Sequence, residues 1–331
     1  MKFRIIILFL IINASLCVHV VFAHTPLTPS HENESLETAY EISDPTKSWA
    51  IYGELHQGGE AQYYRFNIQK GERLRVNLFL STSEDESFVP MLVLMGPGIT
   101  SKDRLPDYIE VPNGAGILLS ESKRPAQPEY EPFTPTSYYY LVDLDTNILE
   151  TGNYYIAVYE DTKGGRYGLA VGYREQFTLD EWILIPINVI SVHQWEGQSL
   201  IFILAPIIAT VILGFVYLIS RRKSIFKRTR GWTGVFAGLL YLGSGITTII
   251  QMIYALIPAP IGFGVVLTVI FALLPILLGV AIIQQVKGFR DTKRARLWLI
   301  ILGFIGFFVW AGVIVGPILS VVTGIFPRKE L

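Results

Sequence analysis

Two hydrophobic periods divide the chain. Between His24 and Tyr173 apolar and polar positions alternate. Tyr64, Phe66 and Ile68 alternate with Tyr63, Arg65 and Asn67, and Leu74, Val76, Leu78 and Leu80 with Arg73, Arg75, Asn77 and Phe79. Tyr167, Leu169, Val171 and Tyr173 alternate with Gly168, Ala170 and Gly172. A period of two buries one face of a strand and leaves the other wet. Turn signals separate the runs, at Gln57-Gly58-Gly59, Lys70-Gly71, Gly96-Pro97-Gly98, Thr151-Gly152-Asn153 and Lys163-Gly164-Gly165. The pattern predicts about eight strands, over 48–55, 61–68, 72–80, 88–95, 115–120, 137–144, 153–160 and 166–173. No helical period of any length interrupts them, so an all-β, jelly-roll-like antiparallel sandwich over residues 24–180 is expected.

After residue 198 long apolar runs replace the alternation. Crossing a bilayer takes about 20 apolar residues. Four stretches suffice, 199–220, 233–257, 261–285 and 297–325, and none contains Asp, Glu, Lys, Arg or His. They predict an all-α, four-helix transmembrane domain over 199–325, with a short tail at 326–331. Residues 1–23 read as a secretory signal peptide: Lys2 and Arg4, then the apolar run 5–12, then Val21-Phe22-Ala23 before His24. A retained anchor helix is the alternative. Between the two halves, 181–198 holds an apolar run broken by Pro186 and flanked by Trp182 and Trp195. It is too short to span and suits an interfacial linker that keeps the sandwich close to the bilayer. A last strand, or the outer end of the first span, is the alternative.

Charge sharpens this division. From His24 to Glu181 there are 25 acids and 12 bases; from Trp182 to Leu331 there are 3 acids and 13 bases. With 51% hydrophobic and 17% charged residues, the whole is neither disordered nor an ordinary soluble enzyme. Arg221, Arg222, Lys223, Lys227, Arg228 and Arg230 follow the first span, and Lys287, Arg290, Lys293, Arg294 and Arg296 follow the third. Positive loops stay inside. The expected protein is therefore a multi-pass plasma-membrane protein with its sandwich extracellular. Four spans would return Arg328 and Lys329 to the outside, a mild violation of the same rule. The single cysteine, Cys17, lies in the signal region, so a mature chain has no thiol for disulfides, zinc or nucleophilic catalysis.

Several segments resemble a known family. They are Glu37-Thr38-Ala39-Tyr40-Glu41-Ile42, Ile51-Tyr52-Gly53-Glu54-Leu55, Tyr63-Tyr64-Arg65-Phe66, Gly71-Glu72-Arg73-Leu74-Arg75-Val76, Thr151-Gly152-Asn153-Tyr154-Tyr155-Ile156-Ala157-Val158 and Gly165-Arg166-Tyr167-Gly168-Leu169-Ala170-Val171. Over about 33–173 the chain is similar to the bacterial and archaeal pre-peptidase C-terminal domain, which implies a small β-sandwich appended to secreted and surface proteins. The membrane half has no part in this resemblance. The chain departs from the family in carrying no protease and in a long insertion at about 99–135. That insertion is rich in proline; it ends with Tyr130 and Phe133, and Tyr138, Tyr139 and Tyr140 follow it. Exposed beside acids, such rings can stack on sugars or grip a peptide; the alternative is a loop packing its own aromatics on the sandwich edge.

Candidate chemistry is sparse. His24 would be the mature N-terminus, where a terminal amine and imidazole can chelate copper if His31 or His56 supplies a second imidazole. His193 and Glu196 have a spacing that places both on one helical face, without making a zinc site. Gly243-Ser244-Gly245 resembles an intramembrane serine-protease motif, yet no span offers a base to activate the hydroxyl. Gln251, Gln284, Thr247 and Thr248 are the polar groups that could line a pore or bond helix to helix. Gly234 with Gly238, and Gly312 with Gly316, supply small faces for helix packing. Asn33-Glu34-Ser35 is a glycosylation sequon on the external tether.

The expectation is a non-catalytic protein with no cofactor. It presents its sandwich to a cell-surface glycan, the cell wall or another membrane protein, or serves as an accessory subunit. Its partners are the lipid bilayer and these surfaces, not nucleic acid. A pore or transporter component is the alternative reading, and a copper-binding protein using His24 the third.

Overall fold

The structure, a computed structural model, describes residues 24–27, 33–101, 103–221, 229–287 and 292–326. The expected signal peptide, His31, most of the first basic loop and residues 327–331 lie outside the described residues.

Eleven strands build the N-terminal half: β1 (Thr25–Leu27), β2 (Tyr40–Glu41), β3 (Trp49–Leu55), β4 (Glu60–Ile68), β5 (Arg73–Ser81), β6 (Met91–Gly96), β7 (Gly116–Ser120), β8 (Glu129–Glu131), β9 (Thr136–Asn147), β10 (Gly152–Glu160) and β11 (Gly165–Val171). They form two mixed sheets. Sheet A has the order β1-β3-β11-β5-β9-β8 and sheet B the order β2-β4-β10-β6-β7. Pairings are antiparallel except for the short edge strands, β1 on β3 and β2 on β4. The alternation seen in the sequence has the expected effect. In β5, Leu74, Val76, Leu78 and Leu80 enter the core between the sheets, while Arg73, Arg75 and Asn77 face outward. Opposite them lie Leu94, Ile156 and Phe66 of sheet B, all buried. Each such aliphatic side chain contributes about 1.5–3 kcal/mol when taken from water. The core also holds polar atoms, and they are paired. The hydroxyls of Tyr64 and Tyr167 meet at 2.6 Å, and Tyr167 donates to Gln62 Oε1 at 2.7 Å.

The insertion is not a free loop. Its first part lies on the outer face of sheet B, where Leu105 and Ile109 pack with Leu36 and Ala39 over Tyr63, Val93, Met95, Ala157 and Tyr159. Its later parts supply β7 to the edge of sheet B and β8 to the edge of sheet A. The outer face of sheet A carries the aromatics Tyr52, Phe79, Tyr138 and Tyr140, which pack against Trp195. Gly168 makes room there, since a Cβ on it would lie 2.1 Å from the Phe79 ring.

Six helices follow: α1 (Leu179–Trp195), α2 (Leu200–Arg221), α3 (Thr229–Ala255), α4 (Gly264–Lys287), α5 (Lys293–Phe308) and α6 (Val315–Ile325). Among the described residues three helices, α2, α3 and α4, are long and apolar enough to cross a membrane. The segment 181–198, expected to be an interfacial linker, is mostly helix. Thr178 and Glu181 form a capping box at the start of α1, and Pro186 is accommodated inside it.

The expected fourth span, 297–325, is not one helix. The chain turns at 309–314, and α5 and α6 pack side by side in opposite directions. Ser320 Oγ donates to the Leu299 carbonyl at 2.8 Å, and Arg296 donates to the carbonyls of Gly324 and Ile325 at the far end of α6. With 16 and 11 residues, they reach about 24 and 16 Å at 1.5 Å per residue, short of a hydrocarbon core of about 30 Å. Hydropathy cannot see such a turn because every residue in it is apolar or glycine. Trp310, Val313, Ile314 and Gly312 all have positive φ. Ser244 of α3 accepts from the Gly312 amide at 2.9 Å, and Tyr241 donates to the Leu302 carbonyl at 3.1 Å.

Candidate functional site

The junction between the sandwich and the helices is built from both ends of α1 and from the β8–β9 turn. At its start Glu181 pairs with Lys47 at 2.6 Å. At its end Trp195 lies against Tyr52, with ring centroids 4.9 Å apart, and its Nε1 donates to Gly53 O at 3.2 Å. Arg166, held by Glu84, donates to the Trp195 carbonyl, and Ser83 donates to the Glu196 carbonyl. Pro186 has a consequence in the middle of α1. It has no N–H to give the carbonyl four residues back. That carbonyl belongs to Trp182, and it accepts from Trp310 Nε1 at 3.0 Å.

Because α5 and α6 stop short, the sandwich end of the bundle has room above their turn. The β8–β9 turn enters it. The Phe133 ring packs on Phe271 of α4 at 5.7 Å and on Trp310 at 6.4 Å, while Trp182 lies 4.8 Å from Trp310. Tyr130 donates to Thr268 Oγ1 at 2.7 Å, Thr268 donates to Pro132 O at 2.9 Å, and Ser137 Oγ donates to Ala255 O at 2.6 Å. The buried Glu131 carboxyl orders the turn by accepting from Thr134 and from the Phe133 amide. Burial raises its pKa.

A buried polar bridge lies where α1 meets α2. His193 Nδ1 and Glu196 Oε2 are 3.0 Å apart. Gln198 and Gln251 exchange amide hydrogen bonds at 3.1 and 2.8 Å. Burial raises the Glu196 pKa, offset in part by His193. The bridge separates two spaces. On the sandwich side is a crevice of about 190 Å³ lined by Ser81, Ser83, Thr136, Glu196 and Gln198. On the bundle side is a cavity of about 110 Å³ lined by His193 and mainly apolar groups.

The sequence-predicted residues are distributed as follows. Tyr130, Phe133 and Tyr138 are not exposed platforms: the first two are spent on the helices, and Tyr138 is buried under sheet A's aromatic cluster. Tyr139 packs on the inter-sheet core beneath Arg124, and Tyr140 on Phe79. All five rings thus have contacts within the protein, and Tyr139 and Tyr140 remain partly exposed. Asn33 is buried, and its Nδ2 donates to Tyr63 O at 3.0 Å, so the sequon nitrogen is not open to a glycan. His24 and His56 do not meet. His24 Nδ1 lies 2.6 Å from Ser48 Oγ, and His56 is eight residues further along the β3 strand, roughly 26 Å at 3.3 Å per residue. They cannot share a copper ion. His56 instead faces Glu60 and Glu34 at an exposed edge.

Gly234 and Gly238 face Val286 and Ile283 of α4, so they serve packing inside the bundle. Gly312 and Gly316 do not form one helix face, since Gly312 lies in the turn; both make room for the Tyr241 ring. Gly243 and Gly245 let α2 and α4 approach α3 on either side of Ser244. Among the four polar groups weighed for a pore, Gln251, Thr247 and Thr248 line the 110 Å³ cavity, and Gln284 lies apart in a groove between α2, α3 and α4. Sequence reasoning singled out His193 with Glu196 and missed Trp310, Gln198, Ser83 and Arg166. Only the Pro186 defect, which frees a carbonyl on α1, hinted at a partner such as Trp310.

No protein-family model and no curated protein matches the chain. One solved structure similar to it is the pre-peptidase C-terminal domain of a collagenase from Bacillus anthracis. It is 16% identical, covers 40% of this chain and 91% of its own, and has a TM-score of 0.24. That likeness is too slight to carry a functional argument. The chain joins a β domain of two mixed sheets to helices apolar enough to cross a membrane.

Proposed function

We propose that this chain is a non-catalytic membrane protein whose sandwich binds a cell-surface glycan or another membrane protein and passes that contact to its helix bundle. The carrying observation is the junction. Phe133 and Trp182 sit among Trp310 and Phe271, and Trp195 sits on sheet A, so the sandwich is gripped at both ends of α1 instead of swinging on a tether. A contact made outside then loads the helices directly.

Charge supports an external sandwich. The α5–α6 hairpin brings its two ends to one side, where Arg296 binds the last carbonyls of α6. With three spans and a re-entrant hairpin, both basic loops and the tail residues Arg328 and Lys329 share the cytoplasmic side. The violation that four spans would create disappears. The pore reading is weaker because Gln251 is satisfied by Gln198 and Gln284 stands apart from it.

Two assays test this reading on the full chain. In a Cys17→Ser background, Ser101→Cys should label with an impermeant thiol reagent in intact cells, while Ser224→Cys and Lys329→Cys should not. In nanodiscs the chain should bind one class of cell-surface glycan saturably, or a defined membrane partner, and in liposomes it should give no solute flux. Flux without binding would favour the pore. External labelling at Ser224 would overturn the orientation.

A further inference from the structure

The cavity beneath α1 has no part in the proposed contact outside, yet it has the makings of a site. Its volume is about 110 Å³, and Ile190, Ile207, Phe271, Val309 and Trp310 form much of its wall. An apolar cavity of about 150 Å³ takes up benzene, so this one in proportion holds about four heavy atoms, and its open side leaves room for the rest of a longer molecule. One side is polar. His193, 2% exposed, lines the cavity, and its Nδ1 is engaged by Glu196. Its Nε2 has no hydrogen-bond partner among the described residues. Thr247 and Thr248 line the same wall. Their hydroxyl hydrogens are given to Gly243 O and Ser244 O at 3.0 and 3.1 Å, which leaves oxygen lone pairs.

This set of groups selects the head of a ligand. No Lys or Arg lines the cavity, and the Glu196 carboxyl stands behind His193, so an anionic head finds no counter-charge. A cation would lose its hydration against a wall with no carboxylate of its own. A hydroxyl can both donate and accept, and so matches a ring nitrogen in either tautomer as well as hydroxyl oxygens. Few convergent polar groups in an apolar hollow are what small-molecule sites look like. We propose that this cavity binds an uncharged, hydroxyl-bearing amphiphile, with its hydroxyl on His193 Nε2 and its hydrocarbon against Ile190, Ile207, Phe271 and Val309. The same chemistry is offered by a bilayer alcohol with a long chain and by a small alcohol from water.

Trp310 in the wall provides the readout, because bromine quenches indole. The full chain in nanodiscs is titrated with 4-bromobutan-1-ol and, separately, with 1-bromobutane. The proposal expects saturable quenching by the alcohol, reduced in the Trp310→Phe variant, where Trp182 remains near by, and absent from the cavity-filling Ile207→Phe and Ile190→Phe variants. His193→Leu should weaken the alcohol by about tenfold, the size of one hydrogen bond, and leave 1-bromobutane unchanged. Relief of the 4-bromobutan-1-ol quenching by unbrominated dodecan-1-ol, loaded into the nanodisc, would assign the ligand to the bilayer; binding of the short alcohol alone would assign it to water. Quenching that rises linearly and equally in the filled variants would overturn the site, as would His193→Leu weakening both probes alike. Unchanged circular dichroism identifies variants that remain folded, and either filled variant suffices.

Discussion

The two outer faces of the sandwich are closed by different means. Sheet B is covered by its own half of the chain, through Leu36, Leu105 and Ile109, with Asn33 and the Glu110 amide bonded to Tyr63. Sheet A is covered from the other half, through Trp195 of α1, and its edge strand β8 leads into a turn that docks on α4 and Trp310. One cover belongs to the fold of the sandwich. The other belongs to the joint with the helices. The difference teaches that this β domain is not an interchangeable module, since one of its two outer faces is completed by α1 from the helical half.

Substitutions can separate the two covers. The largest effect should come from the core they share. Leu78→Ala should cost about 2–5 kcal/mol and unfold both faces together, seen as a single lowered Tm for the β domain. Next is the cover of sheet B. Asn33→Ala leaves a buried carbonyl, Tyr63 O, without its donor and should cost about 1–3 kcal/mol, read in the same melt. The cover of sheet A should behave otherwise. Phe133→Ala should leave that melt within about 1 kcal/mol, since its partners Phe271 and Trp310 lie outside the sandwich. It should instead raise hydrogen exchange in α1 and in residues 131–135. An equal fall in the β-domain melt for Asn33→Ala and Phe133→Ala would erase the distinction.

Acid offers the smallest and most selective lever. Burial, with Arg75 nearby, lowers the His24 pKa to about 4, against an ordinary value of 6.5. The neutral ring therefore contributes stability above pH 6.5 that is lost as pH falls toward 4. Glu131 and Glu196 are shifted the other way, raised by burial. Their penalty appears as pH rises through their folded pKa values and is absent in acid. Lowering pH from 7 to 4.5 should reduce the protection of the Thr25 amide, which donates to Ser48 O, measured against the intrinsic exchange rate at each pH, while the protection of the Phe133 amide, which donates to Glu131, does not fall. Lost protection at both would show that acid acts on the whole domain.

Much of this was legible in the sequence, for local reasons. The eight expected strands all appear, with ends shifted by three residues at most, because alternation at 74–80 or 167–173 records burial directly. Three apolar runs became helices for the same reason. What was illegible depends on distant partners. The 297–325 run reads as a single span, and the groups that hold its turn from outside are far off in sequence: Ser244 on the Gly312 amide and the Trp182 carbonyl on Trp310 Nε1. Aromatics at 130–140 look exposed until the helices that receive them are in place. Asn33 reads as a sequon until Tyr63 is beside it. His193 and Glu196 were found because their spacing is local, whereas the Gln198–Gln251 pair spans 53 residues.

The central claim is that the β8–β9 turn is seated in the helix bundle, and one photo-crosslink tests it. Benzoylphenylalanine in place of Phe133, in the full chain in nanodiscs, should react within the same molecule at Phe271 of α4 or at Trp310 in the hairpin turn. Peptide mapping of the crosslinked monomer would show those two sites. Crosslinks confined to lipid, or to the sandwich alone, would contradict the docked junction and leave the two halves joined only by their chain.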